Sequence, residues 1–158
     1  MSVSVGAVRG ARPPVSVGPV REEALGVAAL PSAVPVAGFF AHALLGSWEV
    51  DEACRWACRQ VLSELVGTAL EATGGLSGTD VEVRGTAMVL VRFRLCAAHL
   101  VVEVRADGAA PARVGYAAPL DEGGRGLMLA DSLASGWGVY TLDTGKVVWA
   151  AWEVAGNG

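Results

Sequence analysis

The clearest pattern of hydrophobic and polar positions lies between residues 50 and 73. Small and apolar residues recur there at three- and four-residue spacing, namely Ala57, Cys58, Val61, Leu65 and Ala69. This is the period of an α-helix with one apolar face, and Gly74-Gly75 offers a place for the helix to end. We therefore predict a helix over residues 50–73 that packs its apolar face against a sheet.

The preceding stretch, residues 24–48, contains no Asp, Glu, Lys or Arg, which raises the question of a membrane span or an export signal. Two prolines interrupt the run, and the acidic pair Glu22-Glu23 precedes it, where an export signal carries positive charge. We predict instead a strand over residues 25–29, a proline-containing turn, and an amphipathic helix over residues 36–45. No membrane association is expected.

The remainder of the chain is predicted to be mostly strands. Alternating and β-branched segments predict strands at residues 80–84, 87–96, 99–106, 138–142 and 146–154, and a helix is expected at 126–135 after a long loop over 107–124. Asp143-Thr144-Gly145 is a hairpin turn between the last two strands. The order predicts an α/β two-layer sandwich, in which helices cover one face of a mixed, mainly antiparallel sheet. Residues 1–23 are expected to form a flexible tail or to dock on a sheet edge, leaving 24–155 as the domain.

Charge and cysteine content narrow the function. The chain has 158 residues, of which 12 are basic and 16 acidic, giving a net charge of −4 with no basic cluster, so nucleic acid is not an expected partner. Three cysteines do not suit a disulfide framework, and a cytoplasmic location is expected. Cys54 and Cys58 lie one helical turn apart and could join Cys96 and His99 in a thiolate metal site. The absence of a Cys-x-x-Cys pair favours core cysteines and no metal, and His42 and His99 are interpreted as structural.

Several short segments occur in an order that is informative as a set. They are Ser63-Glu64-Leu65-Val66, Val102-Glu103-Val104 leading to Asp107-Gly108, Gly123-Gly124-Arg125-Gly126-Leu127, Trp137-Gly138-Val139, and Gly145-Lys146-Val147-Val148-Trp149-Ala150. Over residues 25–154 they resemble the GHKL superfamily of gyrase, histidine kinase and MutL ATPases. The closest resemblance is to its small anti-sigma-factor serine-kinase branch, abundant in actinobacteria.

The resemblance assigns roles to helix positions that are one turn apart. The family uses a Glu to orient a water or accept a proton and, four residues later, an Asn to hold Mg²⁺ on the same helix face. Glu64 matches the acid and is the candidate catalytic residue if the chain is active. Thr68 replaces the Asn, and Ala72 occupies the position of a following basic residue or His. A shorter hydroxyl is a poorer magnesium ligand, so weak metal binding is expected.

The family also ends an inner strand with an Asp that accepts the adenine amino proton, followed two residues later by Gly. Gly108 is retained, but the Asp position is Ala106. In an unbulged strand the neighbouring Asp107 points to the opposite face. Gly124, Arg125, Gly126 and Leu127 retain a glycine turn before a helix that suits phosphate, although such turns are also common without a ligand. Thr68, Asp107, Gly108 and residues 124–127 thus form a candidate vestigial nucleotide site.

The resemblance implies a regulator of transcription that binds a protein, either a sigma factor or an anti-sigma-factor antagonist. Association of two copies of the chain as a homodimer is a further option. With two nucleotide contacts replaced, we expect a pseudoenzyme that uses no cofactor. Two alternatives are open. In the first, the chain is an active ATP- and Mg²⁺-dependent serine kinase that acts on such an antagonist. In the second, its altered pocket binds a different small ligand beneath the 107–124 loop.

Overall fold

The computed structural model describes residues 8–10, 12–72, 87–107, 127–143 and 145–154, with only the backbone given for 8–10. Within these ranges the chain forms six strands and three helices. In chain order they are β1 (Val8–Gly10), β2 (Arg21–Ala28), α1 (Ala33–Ser47), α2 (Glu52–Ala72), β3 (Met88–Leu95), β4 (His99–Asp107), α3 (Met128–Leu133), β5 (Gly136–Leu142) and β6 (Gly145–Glu153).

The strands form one sheet in the order β1-β5-β6-β4-β3-β2. β1 runs parallel to β5, and every other neighbouring pair is antiparallel. β3 and β4 form one hairpin, and β5 and β6 form a second whose last turn residue, Gly145, has a φ of 140°. Glycine adopts this backbone conformation without strain. The prediction of an α/β fold with a mixed, mainly antiparallel sheet is confirmed.

The helices pack on one face of the sheet, called here the inner face. Alternate residues of β4 point to it, namely Leu100, Val102, Val104 and Ala106, as the alternation along this strand predicts. The facing side of α2 supplies Cys58, Val61, Leu62, Leu65, Val66 and Leu70 to the same core. Within the described ranges, no helix is both long and apolar enough to cross a membrane. The uncharged stretch therefore contributes to the core through α1, which buries Ala33, Ala37, Ala41 and Leu45.

Helix α1 is longer than the predicted 36–45. It begins at Ala33 and ends at Ser47, so Pro35 lies in its first turn. The N–H groups of a first turn have no partner within the helix, and a proline there removes no helical hydrogen bond. The prediction was wrong because it treated Pro35 as a helix boundary. Helix α2 matches its predicted range to within two residues.

The first predicted strand, 25–29, is also longer than expected. β2 pairs with β3 along its whole length, from Arg21 opposite Leu95 to Ala28 opposite Met88. Its first three residues are charged and exposed, as suits an edge strand, so a hydrophobic pattern does not reveal them. The domain boundary placed after residue 23 falls inside β2, and Val8–Gly10 lies on the opposite edge of the sheet beside β5.

Other predictions fall on residues outside the described ranges. These are the glycine pair 74–75, the strand 80–84, nearly all of the 107–124 loop, and Gly108, Gly124, Arg125 and Gly126. The helix predicted over 126–135 is observed as α3, Met128–Leu133.

Substitution of Phe93 on β3 and Phe39 on α1 compares a side chain of the inner-face core with one that points to solvent. Phe93 is fully buried, and its ring centroid lies 5.7 Å from that of Phe40, whereas Phe39 is 74% exposed. We expect Phe93→Ala to lower the free energy of unfolding by about 3–5 kcal/mol, since it leaves a cavity. Phe39→Ala should change it by less than about 0.5 kcal/mol. Urea denaturation of both variants measures the difference, and equal losses would contradict the assignment of the inner face.

Candidate functional site

The Glu64 carboxylate joins α2 to the first turn of α3. Its Oε2 accepts a hydrogen bond from the Leu129 N–H at 3.2 Å, and its Oε1 accepts one from the Ala130 N–H at 3.1 Å. Both oxygens of the candidate catalytic acid are therefore engaged by backbone donors. A carboxylate at this position also interacts favourably with the positive end of the helix dipole.

The sequence around α3 explains why a distant side chain takes this position. The N-cap residue of α3 is Leu127, which makes no side-chain capping hydrogen bond. Helix N-termini leave backbone N–H groups without partners, and these are usually satisfied by a Ser, Thr, Asp or Asn at the cap. Glu64 supplies the missing acceptors from another helix.

The surroundings of Glu64 have two opposing effects on its pKa. Burial raises the pKa of Glu64 above its ordinary value of 4.5, and the N–H groups of Ala130, Leu129 and Met128 partly oppose the rise. The net increase reflects the removal of the carboxylate from water. A raised pKa suits a proton acceptor, but a base must also reach a substrate proton. Both Glu64 oxygens are here occupied by the backbone of α3.

Two tryptophans, which the sequence analysis did not single out as site residues, hold the rest of α3. The Trp137 indole N–H donates to Asp131 Oδ1 at 3.1 Å, and the Trp152 indole N–H donates to the Leu133 carbonyl at 2.8 Å. Both rings belong to the buried core of the inner face. The signal available in the sequence was their position beside or within the predicted strands, Trp137 just before 138–142 and Trp152 in 146–154, because a buried indole requires a hydrogen-bond acceptor.

Thr68 lies one turn after Glu64 on α2 and is half-buried. Its hydroxyl donates to the Glu64 carbonyl at 3.0 Å, within the same helix. This bond turns the hydroxyl back along α2, as Ser and Thr commonly do inside helices. The side chain is thus directed to its own backbone, and it is shorter than the asparagine that the resemblance places here.

At the end of β4, the side chains of Ala106 and Asp107 point to opposite faces of the sheet. Ala106 packs against the inner core, whereas Asp107 pairs in regular register with Met88 and lies 3.9 Å from Arg105 Nη1, on the opposite face. The pairing of β3 with β4 is continuous from Leu95 to Met88, so no bulge rotates Asp107 inward. Asp107 and Glu64 are therefore not brought together.

Leu127 is the one member of the predicted glycine turn within the described ranges, and its side chain is fully buried. Among the described residues, no group of three or more His, Cys, Asp or Glu side chains could hold a metal ion. Cys58 and Cys96 are buried, and burial raises the pKa of Cys54 to about 11, so that thiol stays protonated at neutral pH.

Removal of the Glu64 carboxylate tests its role as a cap. We expect Glu64→Ala to lower the free energy of unfolding by about 0.5–2 kcal/mol, the range for loss of a helix cap, because two backbone N–H groups lose their acceptor. Glu71→Ala is the matched control, since Glu71 is an exposed glutamate on the same helix. Chemical denaturation compares the two. Equal effects of both substitutions would show that the Glu64 contacts to α3 do not stabilise the fold.

The comparisons with known proteins agree with this arrangement of sheet and helices. A search of curated protein sequences returns no match to this chain. The family model of the histidine kinase-like ATPase domain matches residues 27–152, which run from the end of β2 to the end of β6. That match covers most of the 158 residues. The chain therefore belongs to the histidine kinase-like ATPase domain family.

Proposed function

We propose that this chain is a regulator of the anti-sigma-factor kinase type that acts by binding another protein and has lost the chemistry of its nucleotide site. The observation that carries the proposal is the position of Glu64. The one acid that matches the family's catalytic position holds the N-terminus of α3 with both carboxylate oxygens. These hydrogen bonds hold the carboxylate for the fold and lower its basicity, and a base role would use only the second lone pair of each oxygen.

The residues present do not fit magnesium and ATP well. Mg²⁺ requires oxygen ligands in near-octahedral geometry, and the helix position expected to provide one holds Thr68, whose hydroxyl bonds its own backbone. The strand position expected to bind the adenine amino group is Ala106, which packs in the core. The active-kinase alternative therefore lacks two of its contacts.

Restoring the two missing groups provides the sharpest test. We expect the wild-type chain to give no saturable binding of Mg-ATP up to millimolar concentration. The double variant Thr68→Asn/Ala106→Asp should bind at least about tenfold more tightly, because each charge-assisted hydrogen bond is worth roughly one or two decades of affinity. Isothermal titration calorimetry with a non-hydrolysable ATP analogue and Mg²⁺ measures both.

The neighbouring residue offers a matched control. Thr68→Asn/Asp107→Asn leaves Ala106 in place and changes an acidic side chain on the opposite face of β4, so it should bind nucleotide no more tightly than Thr68→Asn alone. Micromolar binding by the wild-type chain would contradict the proposal. So would phosphate transfer to a serine of an antagonist protein that Glu64→Gln abolishes.

The partner class is tested separately from the nucleotide. Biolayer interferometry against purified sigma factors and anti-sigma-factor antagonists should give binding that is unchanged by ATP and Mg²⁺. Binding that requires the nucleotide, or that occurs to neither class of protein, would overturn this part of the proposal.

A further inference from the structure

The face of the sheet turned away from the helices, called here the outer face, carries a buried apolar cluster. Its members are Val101, Trp149 and Ala151, exposed by only 1–3%, with Tyr140 packed against them. In a two-layer sandwich this face is left to solvent, where Trp and Val would be exposed. Another part of the chain must therefore cover it.

The segment after β1, residues 12–17, lies on this face and is called the arm. The Arg12 guanidinium carbon is 4.3 Å from the ring centroid of Tyr140 on β5. Ser16 and Val17 lie close to the Cys96 thiol, just beyond β3. A chain that joins these two points crosses β6 and β4, the strands that carry Trp149 and Val101. The arm thus runs over the apolar cluster.

The Tyr140 ring under Arg12 lies beside a charged cluster on the outer face. The Tyr140 hydroxyl donates to Glu103 Oε2 at 3.0 Å, and Arg94 Nη2 lies 3.2 Å from the same oxygen. Glu103 is only 7% exposed, so its charge is held close to the ring in a partly desolvated site. Arg92 Nε lies 3.8 Å from the other Glu103 oxygen, so the carboxylate already has arginine partners, and Arg12 is held by the cation–π contact with the Tyr140 ring.

The arm itself has the composition of an extended ligand. Arg12 is followed by Pro13-Pro14, a pair that favours the polyproline conformation, and none of residues 12–17 belongs to a helix or strand. Its apolar side chains contribute little to the core, because Val15 is 83% and Val17 is 78% exposed. Gly18 follows with a φ of 82° and no atom within 4 Å of a Cβ built on it. The arm is thus held at few points and continues into an open turn.

We propose that the outer face is a docking surface for an extended segment of a partner protein in which an arginine precedes prolines, and that the chain's own arm occupies this surface in cis. The partner segment would displace the arm, place its arginine over Tyr140 and cover Trp149. Extended proline-containing segments bind aromatic-lined surfaces at low entropic cost, because they are already ordered. This inference rests on the proposed function only in that the chain acts by binding another protein.

The test uses the full chain and a fluorescein-labelled peptide with the sequence of residues 8–20, measured by fluorescence anisotropy. Arg12→Ala in the protein weakens the cis competitor, so we expect it to bind the peptide about 2- to 30-fold more tightly than the wild type does. A peptide that carries Ala at the arginine should bind each protein more weakly than the arginine peptide does. Tyr140→Phe keeps the ring and should retain binding, whereas Arg12→Ala/Tyr140→Ala should lose it.

Thermal melts establish that each variant is folded, and the Arg12→Ala and Tyr140→Phe proteins decide the matter if the Tyr140→Ala variant does not fold. Equal peptide affinity of the wild type and Arg12→Ala, or no binding to either, would overturn the proposal. Dimerisation of Arg12→Ala in light scattering without peptide binding would also overturn it, since the surface would then accept a second copy of the chain. None of these experiments uses Mg-ATP. A negative result here therefore differs from a finding that the nucleotide site is functional.

Discussion

The hydrogen bonds between the Glu64 carboxylate and the first turn of α3 fix the position of α3 and constrain what the carboxylate can bind. A helix of six residues is too short to be stable by itself, so its position depends on contacts at its two ends. Glu64 provides the contact at the N-terminal end, across 65 residues of sequence, and Trp152 provides one at the C-terminal end. The candidate catalytic acid therefore connects the two helices. A ligand that used this carboxylate would share it with the Leu129 and Ala130 N–H groups.

The two-residue period of β4 places a second constraint on function. Residues 100, 102, 104 and 106 line the helical core, so the only residues of this strand that reach the inner site are even-numbered. An acid at 107 cannot replace one at 106, because moving it inward would turn every other side chain of the strand outward. Val101 and Glu103 would then enter the core, and Leu100 and Val102 would leave it. The continuous pairing with β3 holds this register.

The spacing of hydrophobic residues predicted those helices and strands in which that spacing is regular. The three- and four-residue spacing located α2, and the alternation in β4 placed Ala106 and Asp107 on opposite faces. The edge strand β2 was predicted too short because Arg21, Glu22 and Glu23 are solvent-facing and carry no hydrophobic signal. The cap on α3 could not be predicted, since it depends on two segments 65 residues apart that only the folded sheet and helices bring together. The arm was equally hidden, because its contacts with Tyr140 and Cys96 follow from strand order.

The two faces of the sheet carry different sets of side chains. β4 is paired on both sides, with β3 and with β6, and it contributes Ala106 to the inner face and Glu103 to the outer face. Substitutions on one face of such a strand need not disturb the other, because alternate side chains do not share neighbours. Substitution of residues on the inner face would therefore leave the fold and the outer face in place. Under the proposed function, a chain without the nucleotide contacts would still have a paired sheet on which to bind a partner.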